Sequence, residues 1–182
     1  MKLLTDLGQF VIFDLTKVGT AYQIINSFVD DKTIHVFEIS PVGQQAVLIL
    51  NSKDAISLNF AYQQSLSLFR ADILDSAFIG PLSEVVISAY LSQAQPAIQK
   101  NILVVEVGSF SKAFLVAKRL AEKSIQIIDF RAVRTCPPNL IITASNESTE
   151  ILSQFTNEFP LAKITLIESI QKPLQSFFTV VI

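Results

Sequence analysis

QFVIFDLTKVGTAYQIINSF (Gln9–Phe28) and NILVVEVGSFSKAFLVAKRL (Asn101–Leu120) decide how this chain is read, because they carry one pattern written twice. Each is an apolar strand-like run, a break at Thr16 or Gly108, and a segment with helical spacing. Taking Ala113 against Ala21, the offset is 113 − 21 = 92 residues. Apolar residues fall at Ala21, Ile24, Ile25 and Phe28, and again at Ala113, Val116, Ala117 and Leu120. That i, i+3, i+4, i+7 spacing belongs to a helix with one buried face. Recurrence at a fixed period is the signature of a duplicated unit.

Working outward, TIHVFEI (Thr33–Ile39) and SIQIIDF (Ser124–Phe130) precede AVLIL (Ala46–Leu50) and NLIIT (Asn139–Thr143). All are rich in β-branched and aromatic residues, so each pair predicts two strands joined by a loop. NSKDAISLNFAYQQSLSLF and ASNESTEILSQFTNEF predict helices, with Ser52 and Ser145 as N-caps and Asp54 or Glu147 in the first turn. ADILDSA (Ala71–Ala77) and KITLIES (Lys163–Ser169) predict a last strand in each copy, and Pro81 and Pro173 follow at the same spacing, 173 − 81 = 92. Each copy therefore predicts βαββαβ with a tail. The fold class is α+β, two tandem ferredoxin-like domains, each with a four-stranded antiparallel sheet and both helices on one face. The expected domains are residues 1–92 and 101–182, joined by the polar, Pro96-containing linker 93–100.

Half of the 182 residues are hydrophobic and 16% are charged, against roughly 25% charged in an ordinary soluble domain. The surface is expected to be unusually apolar. A bilayer span needs ~18 consecutive apolar residues, and polar residues cut every run here well short of that. Asp6 and Gln9 interrupt the amino-terminal apolar patch before a secretory segment could form, so a cytoplasmic location is expected. The net charge of −2 supplies no field for nucleic acid or anionic lipid. Low charge with an apolar surface favours self-association.

The order of elements resembles the bacterial microcompartment shell domain: a strand ending in Asp or Glu, a short break, an alanine-punctuated helix, two strands, a capped helix, and a strand running into a Pro-containing turn. The second copy carries the resemblance most fully, with Glu106, Gly108, Ala113 and Ala117 at the family's acidic, glycine and alanine positions. Where that family has a lysine near the end of its first helix, Asp30 and Ala121 stand here, and its glycine-rich pore loop is replaced by SPVGQQ and RAVRTCPPN. The resemblance implies a structural, self-assembling protein rather than an enzyme. Tandem members form homotrimers that mimic hexamers, tile with other shell proteins, and line a central pore with the loop between the second and third strands. Here that lining would be Val42, Gly43, Gln44 and Gln45 in copy one and Arg134, Thr135, Cys136 and Pro137 in copy two. The runner-up is a ferredoxin-like module that binds a small regulatory ligand, because one fold hosts many functions.

Few residues carry chemistry on their own. No cofactor is expected. Three Cys136 thiolates on a threefold axis could hold an iron–sulfur cluster, but a single cysteine without a spacing partner favours a lone loop thiol. Arg131 and Arg134 flank the same loop and could form a positive rim. His35, the only histidine, lacks the neighbours of a catalytic base. Asp30, Asp31 and the acidic residues from Glu147 to Glu150 read as helix-end charges rather than metal ligands. Phe10, Phe13, Phe28, Phe37, Phe114 and Phe130 read as core, since no interleaved basic residues accompany them for base stacking.

Overall fold

A strand buried on one face alternates apolar with polar, whereas Gln9–Leu15 is apolar almost throughout because both of its faces are covered. The computed structural model describes residues 8–28, 32–93, 98–133, 138–156, 158–160 and 162–172. Among these, the first copy runs β1 (Gln9–Leu15), α1 (Val18–Asn26), β2 (His35–Val42), β3 (Gln45–Ser52), α2 (Ala55–Leu68), β4 (Ile73–Ile79) and α3 (Glu84–Tyr90). The second runs β5 (Asn101–Val107), α4 (Phe110–Glu122), β6 (Gln126–Val133), β7 (Asn139–Asn146), α5 (Thr149–Thr156) and β8 (Lys163–Ile167). The antiparallel sheets have the orders β2-β3-β1-β4 and β6-β7-β5-β8. This is the tandem ferredoxin-like fold expected from the pattern.

The residues fall into two compact units. The first runs through Leu82 and takes in Ser109–Leu115; the second holds Ser83–Gly108, Val116–Val133 and the residues from Asn139 onward. Each unit thus draws on both copies of the repeat. In the first, Val11, Phe13 and Leu15 of β1 meet Ala46, Leu48 and Leu50 of β3 beneath Ala21 and Ile24 of α1 and Leu58 of α2. Tyr62 extends this core, with ring centroids 5.6 Å from Phe13 and 6.0 Å from Phe78. In the second, Ile102, Ile128 and Ile170 cluster with Ile98, Val104 and Ile167. The repeated helix face is buried at Ala21 and Ile24 and at Ala113, Val116, Ala117 and Leu120, while Ile25 and, beyond the end of α1, Phe28 are half-buried against the same core. Apolar side chains also reach solvent: α2 turns Ile56 and Phe60, one turn apart, outward at 84% and 71% exposure. No helix among the described residues is long and apolar enough to cross a membrane, which says nothing of β-barrels.

The duplication extends to an irregularity. Phe37 is an extra residue in β2, where pairing passes from Val36↔Leu50 to Glu38↔Ile49, and Ile128 is the same extra residue in β6. Phe37 packs edge-on against Phe10 at 5.6 Å, as Ile128 packs with Ile102 in the other sheet.

Several expectations need correction. Ser52 and Ser145 are not caps, because β3 and β7 continue through them. The Ser52 hydroxyl donates to the Thr33 carbonyl, and that of Ser145 to the Asn101 carbonyl. Asp54 caps α2 by accepting from the Ile56 and Ser57 amides, and the Ser148 hydroxyl accepts from Ile151 at the start of α5. The spacing of 92 does not persist to the last strands either: Phe10 pairs with Ile79 and its counterpart Ile102 with Ile167, an offset of 167 − 79 = 88. Pro173 itself lies outside the described residues, as does much of the linker. Finally, the tail of the first copy contains a helix, α3, in the second unit, where Tyr90 stacks edge-on against Phe130 of β6 at 5.1 Å. Both α3 and α4 end with a serine, Ser92 and Ser124, in the left-handed region. Each closes the helix with a 6→1 bond, Gln93 N–H to the Ser88 carbonyl and Ile125 N–H to the Leu120 carbonyl.

Candidate functional site

The loop between second and third strands is where the two copies differ most. In copy one β2 and β3 run on until Val42 pairs with Gln45, leaving a two-residue turn of Gly43 and Gln44. Gly43 has φ +63, the left-handed value that a type II′ hairpin places at its first central position. Val42 is 1% exposed and points into the core, Gln45 is half-buried, and Gly43 and Gln44 are presented to solvent. In copy two β6 ends at Val133 and β7 begins at Asn139. Arg134, Thr135, Cys136 and Pro137 lie outside the described residues, as do Asp30 and Asp31. Arg131, expected on a positive rim, is paired to Asp129, which offsets its charge. His35 is exposed at the start of β2. Among the described residues no group of His, Cys, Asp and Glu could hold a metal ion.

A second constellation, inside the first unit, was not expected. Asp14 is the acidic residue near the end of β1, only 6% exposed. Its Oδ1 accepts from the Phe110 amide at 2.8 Å, and its Oδ2 accepts from the Ser111 amide and hydroxyl at 2.9 and 2.7 Å. Phe110 and Ser111 begin α4, whose next amide, Lys112, donates to the Ser109 hydroxyl at 3.3 Å. A helix start leaves four amides without intrahelical partners. Here a strand carboxylate and a local serine take the first three, and the dipole at that end favours the negative charge. Asp75, opposite Asp14 in the β1–β4 ladder, completes the cluster. Its Oδ2 accepts from the Ser109 hydroxyl at 2.8 Å and pairs with Lys112 Nζ at 3.1 Å.

The two carboxyls titrate in opposite directions. Burial pushes Asp14 above the ordinary aspartate value, against the pull of the Ser111 and Phe110 donors, and the Asp75 charge adds to the rise. For Asp75 burial acts the same way, but the Ser109 and Lys112 donors win and hold it low. Asp14 as a strand-ending acid was legible in the sequence; its partner was not. The available signal was one charge inside an otherwise apolar strand, which a buried position demands be satisfied.

The start of α1, which corresponds to that of α4, is arranged differently. No side chain caps it and no acid stands in its first turn. Lys17, which precedes the helix, pairs with Asp72 at 3.3 Å, and Asp72 also accepts from the Thr16 and Thr20 hydroxyls.

With this geometry the chain belongs, by fold, to the tandem ferredoxin-like α+β proteins. A microcompartment protein from Desulfitobacterium hafniense shares the fold at a TM-score of 0.73, over 93% of this chain and 99% of its own, with 11% of residues identical. At that identity the likeness is one of fold. The small subunit of acetolactate synthase from Thermotoga maritima aligns over 90% of this chain and 98% of its own at 15% identity, with a TM-score of only 0.32. No family model and no curated protein matches the sequence.

Proposed function

We propose that this protein is a structural, non-enzymatic subunit that assembles as a homotrimer, giving a six-lobed ring that tiles with other shell proteins around a bacterial microcompartment. The observation that carries the reading is the fold shared with a microcompartment protein across nearly the whole of both chains. An apolar, weakly charged surface, with Ile56 and Phe60 exposed on α2, supports self-association. In the ring, the Gly43–Gln44 turn and the 134–137 segment alternate around a central opening, with Val42 and Gln45 at the base of the turn. Three copies of Cys136 then approach one another, so an iron–sulfur cluster at that position is part of the proposal's test. Size-exclusion chromatography with light scattering at tens of micromolar is expected to give three times the chain mass; a stable monomer overturns the reading. Electron micrographs report tiling, and iron and sulfide analysis of protein purified without oxygen reports the cluster.

A further inference from the structure

We infer that Glu106, on the half-open face of the second sheet, seats on the start of α1 of a second copy of this chain, reproducing between chains the Asp14–α4 contact found within one. The inference rests on the ring reading above and supplies its closing contact.

The offset of 92 holds from β1 to the helix that follows it: Asp14 corresponds to Glu106, Phe110 and Ser111 to Val18 and Gly19. The contact inside the first unit is head-to-tail, a sheet face of copy one receiving a helix start of copy two. A contact of that kind leaves one unused half at each end of the chain, and repeating it closes a ring or runs on as a filament. The unused halves here are the second sheet's face and the start of α1.

Among the described residues, both halves are less covered than their counterparts in the first contact. On the first sheet, Ile12, Asp14, Val47 and Ala77 are buried, the ladders pairing Asp14 with Val47 and Ile12 with Ala77. The ladders place Val104, Glu106, Ile141 and Thr165 at the equivalent positions of the second sheet. There Val104, Glu106 and Ile141 are half-buried and Thr165 is exposed. Glu106 accepts from the Asn139 side chain at 3.2 Å through one oxygen, Oε2. On the other half, Lys17, Val18 and Gly19 are exposed and the helix start is uncapped, whereas the equivalent Phe110 and Ser111 are each 1% exposed.

The substitutions between copies are complementary in size and charge. Where copy two offers the Ser111 hydroxyl to the short Asp14, copy one has Gly19, around which a Cβ would meet nothing within 4 Å. The acid opposite is then glutamate, longer by one methylene. The flanking pair is inverted. Asp75 faces Lys112 in the first contact; in the second, Lys163 takes the place of Asp75, and Thr20, in the place of Lys112, is bonded to Asp72.

The test uses the full chain. Gly19→Asp puts a like charge against Glu106, while an acid in the first turn suits α1 itself and so leaves the fold intact. Glu106→Lys sets a cation against the positive end of the α1 dipole, and Glu106→Gln keeps the shape without the charge. Each single charge variant is expected to weaken the trimer by at least about tenfold in light-scattering dilution series, with unchanged circular dichroism. The double variant Gly19→Asp, Glu106→Lys is expected to recover assembly. If the wild type is oligomeric and all variants match it, the Glu106 contact is refuted and the ring reading stands; if the wild type is monomeric, both fall.

Discussion

Replacing Asp14 by asparagine isolates the charge and one acceptor of the buried cluster while keeping its volume. Asparagine has a single carbonyl oxygen, so it can serve the Phe110 amide or the Ser111 pair but not both. The side left out faces an NH2 group. An orphaned buried donor costs about 1–3 kcal/mol, and removing a partly buried charge from a helix start costs roughly 0.3–2 kcal/mol more. Against this stands the burial penalty already recorded in the raised pKa of Asp14, which asparagine does not incur. The balance is a loss of about 2 kcal/mol. For a chain of 182 residues this lowers the melting temperature by roughly 4–8 °C. Thermal and urea unfolding of Asp14→Asn, Ser111→Ala and the double variant measure it, with a coupling of at least ~0.5 kcal/mol expected between the two sites. A melting temperature within 1 °C of wild type, or strictly additive losses, would show that the carboxylate does not hold the helix start.

Gly8→Ala is expected to cost at least about 2 kcal/mol, since its φ is +72 and a Cβ would stand 2.2 Å from the Ser52 carbonyl oxygen. Gly108→Ala, where a Cβ meets nothing within 4 Å, is the control and should stay within roughly 0.5 kcal/mol in urea titrations. Tyr90→Leu removes the ring pair with Phe130 and is expected to destabilise by about 1 kcal/mol, with amide exchange rising first in α3 and β6. Carboxyl carbon NMR is expected to find Asp14 titrating above 3.8 and Asp75 below it. Asp14 lends stability as pH falls from its raised value towards 3.8, because the folded state takes the proton first. The stability from Asp75 is complete above 3.8 and is lost as pH falls through its lowered value. The reverse order of titration would contradict both assignments.

The strands and the first helix of each copy were legible because burial writes a period into the sequence, at 3.6 residues in α1 and α4 and as an unbroken apolar run in β1. Chain lengths between elements were not. The extra residues Phe37 and Ile128 stand 91 apart, whereas Leu50 and Ala144, paired to the equivalent residues Val11 and Leu103, stand 94 apart. The longer connection after β6 accounts for that step. The helix that follows then shortens from 14 to 8 residues and brings the offset down to 88 at the last strand. A spacing of 92 between Pro81 and Pro173 is thus not carried by the strands before them. The N-caps were misplaced for a related reason: Ser52 and Ser145 look like capping residues, yet each is fully buried and bonds to backbone of its own unit. Helix α3 was not expected, because a helix of 7 residues is too short for periodicity to stand out. The Asp14 cluster joins residues 96 and 97 apart, a distance over which no local pattern speaks.

The extra residues in β2 and β6 bear on how such a chain keeps its sheets from pairing edge to edge. Both strands are sheet edges, and an edge presents unpaired amides and carbonyls to any passing strand. A bulge twists the edge and breaks its regular spacing, so a neighbour cannot zip along it. That disfavours amyloid-like stacking along either edge.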